Sequence, residues 1–276
     1  NFGDDNKFPS KARPLAYYQF NSRNVQANAG IFDRKELLGD YSLAFFGDST
    51  AFYHNRLSGF LGHYKSTERR NTYVEMAIDW EGMYSTLSRE KFRILLAGRH
   101  YLDTFYYGFN YSMFHYAGQQ GAPIENVVDL QLLNPCVGVR FNAFFDFDIK
   151  LGALLTVQRD RSFGHSWEKP CMGEFAFRIS RWGLSLDERL YVGDNIHPFF
   201  YGHELEDGTP LPYGRELYPA ESFFRTDQKV YSRTALSYRR SFFDDTVSVR
   251  AEFAAHHDGT ALGTQQMLVV GVKLLK

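Results

Sequence analysis

Long apolar runs are missing from this chain. No stretch of its 276 residues approaches the roughly 18 consecutive apolar side chains that a membrane-crossing helix needs. Cysteine is scarce as well. Cys136 and Cys171 are too few for a disulfide framework, and no Cys/His cluster has zinc-ligand spacing. No metal or cofactor is therefore expected. A charge of one sign is lacking: 31 Lys and Arg stand against 32 Asp and Glu, a net charge of −1. That balance removes the basic footprint of a nucleic-acid binder. No secretory signal is visible at Asn1, so an exported form carries it outside this sequence or has lost it.

Aromatic residues are abundant. Phe, Tyr and Trp together make 17% of the chain, yet mean hydropathy is −0.38. Many aromatics on a polar average point to one apolar face repeated many times. Alternation supplies that face. Val74, Met76, Ile78 and Trp80 interleave with Tyr73, Glu75, Ala77 and Asp79. Val137, Val139 and Phe141 interleave with Gly138, Arg140 and Asn142. Ile149, Leu151, Ala153, Leu155 and Val157 oppose Lys150, Gly152, Thr156 and Gln158, and Val247, Val249, Ala251 and Phe253 oppose Ser248, Arg250 and Glu252. Successive strand side chains point to opposite faces, so each segment has one apolar and one polar or mixed face.

Fourteen strands are expected, with twelve as the alternative count. Their spans are 14–21, 24–33, 41–48, 57–64, 71–80, 91–102, 105–116, 136–145, 148–158, 171–180, 183–192, 228–241, 246–256 and 266–276. Tight links at Asp103-Thr104, Asp146-Phe147, Arg181-Trp182 and Phe243-Asp244-Asp245 alternate with long ones at 117–135, 159–170, 193–227 and 257–265. Bacterial outer-membrane barrels alternate short periplasmic turns with longer extracellular loops. Several segments also reach the roughly 9–11 residues that a tilted strand needs to cross a membrane. The expected architecture is an all-β, transmembrane, antiparallel up-and-down β-barrel over residues 1–276, one domain. An even strand number puts both termini on the periplasmic side of a bacterial outer membrane. A soluble sandwich or lumen-binding barrel is the other reading.

Three sequence blocks carry a resemblance: Tyr191-Val-Gly-Asp-Asn-Ile-His-Pro-Phe-Phe-Tyr-Gly, Tyr213-Gly-Arg-Glu-Leu-Tyr and Phe223-Phe-Arg-Thr-Asp. Ile78-Asp-Trp-Glu-Gly, His115 with Gly118-Gln119-Gln120-Gly121, and the run from Leu15 to Gly82 add to it. These resemble outer-membrane β-barrel proteins of Bacteroidota. The resemblance implies a fold and a compartment but no catalytic residues. It also implies contact with the outer-membrane bilayer and its lipopolysaccharide, with other barrels and with surface lipoproteins. The chain departs from the proteobacterial barrel signal by ending in Leu-Leu-Lys, without a terminal aromatic residue.

The 193–227 link is the largest feature outside the strands. Its candidate lid or docking residues are Asp194, His197, Phe199, Phe200, Tyr201, Tyr213, Tyr218, Phe223 and Phe224; the plainer reading is a solvated loop. Cys136 and Cys171 are a candidate disulfide at the rim of the long loops, with free thiols as the alternative. Ser112 and His115 differ by three positions, so they face opposite ways on one strand and fail as a nucleophile–base pair. Arg93, Arg99, Arg140, Lys150, Arg178, Arg250, Glu75, Asp79, Glu174, Asp187 and Glu252 are expected to line a lumen. The expected role is non-enzymatic: an accessory subunit of an outer-membrane complex. A porin-like channel is the alternative, and a lipid-modifying enzyme a distant third.

Overall fold

The computed structural model describes residues 14–48, 50, 54–66, 72–121, 127–161, 166–197, 220–226 and 228–273. Thirteen strands occur among them. They are Ala16–Asn21 (β1), Val25–Asp33 (β2), Arg56–Lys65 (β3), Tyr73–Gly82 (β4), Lys91–Leu102 (β5), Phe105–Tyr116 (β6) and Val128–Asn142 (β7). Asp146–Asp160 (β8), Cys171–Arg181 (β9), Leu184–Gly193 (β10), Val230–Phe242 (β11), Val247–His257 (β12) and Leu262–Val272 (β13) follow. Each pairs antiparallel with its sequence neighbours, giving one up-and-down sheet in the order β1 to β13. No described helix is long and apolar enough to cross a membrane.

Thirteen of the expected segments coincide with strands. The fourteenth, 41–48, does not: Leu43–Phe45 form a turn, and the segment lies on the inner face of the sheet. Strand β7 starts at Val128, eight positions before its expected start. Pro135, which cannot donate to a ladder, stands inside that extension. Beside it the Asn134 side chain donates to the Ala153 carbonyl at 3.1 Å, holding β8 where the main chain cannot.

Without a strand at 41–48, the links sort cleanly by end. The links after β1, β3, β5, β7, β9 and β11 leave from one end of the strands, the short-link end, and those after β2, β4, β6, β8, β10 and β12 leave from the other, the long-link end. The chain termini lie outside the described residues, so the expectation for them is left as it stood. Among the described residues, Ala16 lies at the long-link end and Val272 at the short-link end.

The sheet is inverted relative to a soluble one. Outward side chains are apolar and exposed, as with Val74 at 55%, Trp80 at 43% and Leu151 at 57%. Inward ones include buried charges: Glu75 at 1%, Asp79 at 4% and Lys150 at 3%. The inner face is concave, because the single segment 34–48 reaches side chains on β4, β5, β6, β8, β10 and β11.

The β9–β10 hairpin turns on Trp182 and Gly183, both at positive φ (54° and 84°). That is the backbone a two-residue primed turn requires. A Cβ at Gly183 would strike the Arg239 carbonyl oxygen, whereas one at Gly173 meets only ordinary contact. Gly183→Ala should therefore lower stability by about 1–2 kcal/mol, and Gly173→Ala should change it little. Thermal unfolding of the two purified variants checks the contrast.

Candidate functional site

Two inserts fill the concave face. The first is 34–48. Asp33 caps its opening turn by accepting from the Lys35 N–H at 2.9 Å. Arg34 then pairs with Asp79 at 3.2 Å. Glu75 accepts from the Leu38 and Gly39 N–H groups and, at 3.0 Å, from the Tyr41 hydroxyl. Asp40, at the tip, meets Arg99 at 3.0 Å and Lys150 at 3.5 Å, while its carbonyl accepts from Asn110 at 3.0 Å. Ser42 bonds Tyr191 at 3.1 Å, and Asp48 pairs with Arg233 at 2.8 Å.

The second insert is 220–226. Glu221 accepts from the Asp48 N–H at 2.6 Å, and its own N–H donates to the Leu43 carbonyl at 3.1 Å. Phe223 stacks on Tyr231 at 4.6 Å, and Phe224 meets Tyr191 edge-on at 5.2 Å. Leu43, Ala44, Phe45, Leu132, Leu154, Met172, Ile196 and Ala220 join these rings in one buried cluster.

This placement corrects most of the described part of the expected docking surface. His197, Phe223 and Phe224 are buried inside; of the expected residues, Asp194 alone among those described is exposed. Burial and then the nearby Arg93 charge push the His197 imidazole down to about 3, so it is neutral at ordinary pH. Phe199, Phe200, Tyr201, Tyr213 and Tyr218 lie outside the described residues. The disulfide expectation is also corrected. Both thiols are free: Cys136 sits mid-strand and buried on the inner face, and Cys171 is exposed on the outer face. Across β8, Cys136 stands opposite Gly152 while Cys171 stands opposite Leu155.

Ser112 points inward and is buried, whereas His115 faces out, 3.6 Å from Asp129 and with its ring tilted against Phe92 at 5.1 Å. The two never meet. Among the described residues, no three His, Cys, Asp or Glu gather as a metal site. The expected lumen charges do converge inward. Sequence reasoning missed Asp40 and Arg189, the latter bonding Asp187 through Nε at 3.1 Å. The period-two pattern across Leu186-Asp187-Glu188-Arg189-Leu190 could have revealed Arg189.

One cavity opens at the short-turn end of this interior, about 220 Å³ in volume. Asp40, Arg99, Tyr106, Arg140, Asp148, Lys150, Arg178, Asp187 and Arg189 line it. Comparison with protein-family models, with curated proteins and with solved structures gives no match to the chain.

Two outcomes follow. Phe224→Ala should cost about 3–5 kcal/mol, the range for emptying a buried aromatic site, while Asp194→Ala should stay within about 0.5 kcal/mol; unfolding of the two variants separates a packed insert from a solvated one. Maleimide should label Cys171 in the folded protein and spare Cys136 until unfolding, and reductant should leave gel mobility unchanged.

Proposed function

We propose that this chain is a bacterial outer-membrane β-barrel whose lumen is filled by its own segment 34–48, serving as a non-enzymatic accessory subunit of a larger outer-membrane assembly. The observation that carries the reading is the pairing of an apolar outer face with a charged inner one whose ion pairs lie within the chain. Apolar side chains facing lipid and polar ones facing a lumen is the arrangement a membrane barrel needs. In hydrocarbon every main-chain group must be bonded within the protein, so the free edges of β1 and β13 require partners. Both strands run from the long-link end to the short-link end, so pairing them with each other would close the barrel in parallel. The long links then face outward and the short turns the periplasm.

The filled lumen favours an accessory role over an open pore. A second feature favours a protein neighbour. Midway along β10, Glu188 is the one carboxylate on the central part of the described outer face; Ser232 donates to it at 2.7 Å, and Thr234 donates as well. A carboxylate at that depth is costly against lipid and suits contact with another barrel or a surface lipoprotein.

Planar-bilayer recording is the test. The purified protein should show no steady large openings and should migrate differently on gels before and after heating. Steady openings would sink the plugged reading, and heat-insensitive migration with full solubility in the absence of detergent would sink the barrel. Glu188→Leu should keep the heat shift but lose any partner that co-purifies stoichiometrically with the parent protein.

A further inference from the structure

The charge arithmetic around the short-turn cavity does not close. Its walls carry five cations, Arg99, Arg140, Lys150, Arg178 and Arg189, and three carboxylates, Asp40, Asp148 and Asp187. Glu174, behind Lys150 at 3.6 Å, is a fourth. Five cations thus share four carboxylates.

Each wall carboxylate is already engaged. Asp148 takes two bonds from Arg140, at 3.0 and 2.6 Å, and a third from Tyr106 at 2.7 Å. Asp187 is shared: Arg178 Nε reaches it at 2.8 Å and Arg189 Nε at 3.1 Å. Asp40 is divided between Arg99 and Lys150 at contact distance, with the Arg189 charge acting on it as well. Among the described residues Arg189 makes that one hydrogen bond, and Asp187, Asp40 and Glu174 all bear on its charge. Cations that must share a carboxylate in a half-buried place are incompletely neutralised, which is costly.

The location matters as much as the count. Arg140 faces Asp148 beside the 143–145 turn, and Arg178 faces Asp187 beside the 182–183 turn. The cavity is therefore reached from the short-turn end, beneath the tip of the inner segment. At that tip the Asp40 side chain is 42% exposed, so the chain's own carboxylate already occupies one side of a cationic cup. The space is several times the roughly 30 Å³ share of one water molecule, enough for a small solute.

We propose that this cavity binds a small oxyanion, a solute bearing a carboxylate or phosphate group, entering from the short-turn end and held by Arg189 together with Lys150 and Arg99. Asp40 competes with the ligand for all three. The guanidinium forks suit such groups because they match planar oxyanion geometry with charge-assisted bonds.

The experiment is calorimetric titration of the purified full chain in neutral detergent with inorganic phosphate and, separately, succinate. Sodium chloride at matched ionic strength is the control. At least one oxyanion should bind saturably where chloride does not, and which one binds assigns the ligand group. A hydrogen bond to a charged group contributes about 1.5–3 kcal/mol, so Arg189→Gln should weaken binding by roughly tenfold or more. Asp40→Asn should tighten it, a change of opposite sign that loss of folding cannot mimic; the heat-modifiable gel shift confirms that both variants are folded. No saturable signal from either anion, an equal signal from chloride, an unchanged affinity in Arg189→Gln or weaker binding in Asp40→Asn would each overturn the proposal. None of these readouts depends on whether the protein conducts ions or engages a partner.

Discussion

Glu75 is the residue to which the inner segment is anchored. Its carboxylate, 1% exposed, takes the Leu38 and Gly39 N–H groups and the Tyr41 hydroxyl together. Those donors come from a stretch with no regular structure of its own, whose main chain would otherwise bring unpaired amides into the interior. The clamp works because Gly39 carries no side chain: a Cβ there would strike the Tyr41 ring and Ala97. With Leu38 to Tyr41 fixed, Asp40 is aimed at Arg99 and Lys150, and the next turn sets Leu43–Phe45 into the apolar cluster. One carboxylate on β4 thereby organises contacts as distant as β10 and β11.

The insert answers the polar inner face of the sheet. Strands with apolar outer faces must turn their polar residues inward, and thirteen strands deliver many of them. Removing one partner of a buried pair leaves the other charge uncompensated, which costs more than the pair itself contributes. The network therefore tolerates little partial occupancy. Arg34 with Asp79 and Arg233 with Asp48 and Glu252 show the rule at the long-link end, where partners are matched. At the short-link end they are not, and the excess sits on the walls of a cavity.

The sequence made the strands from 91 to 116 legible residue for residue, because their alternation is strict and their turns short. It placed Glu75, Asp79, Arg93 and Lys150 on the inner face for the same reason. It misread 41–48. Leu43-Ala44-Phe45-Phe46 is a continuous apolar run, which fits a buried strand and a buried turn equally well. What decides between them is the set of donors and acceptors waiting on β4, β5 and β8, information that no local window contains. Phe223 and Phe224 were misplaced for a related reason: aromatics in a long link read as a surface unless the cluster that receives them is known. The cysteines failed on a strand boundary, since starting β7 at Val128 moves Cys136 from the rim to the middle of the wall.

Losing the strand at 41–48 does more than change a count. It turns a connection into a filling, and the filling changes what the interior can do. An inner face lined by both signs of charge reads, from sequence, as either a channel or a plug. Ser42 and Asp48 engage Tyr191 and Arg233 toward the long links, and Asp40 engages Arg99 toward the short ones, so the chain itself answers much of the interior's charge. The excess of cations over carboxylates lines the cavity on the side facing the short turns. An interior closed from one end and cationic at the other has a direction, and a solute drawn to it arrives from the end where the turns are short.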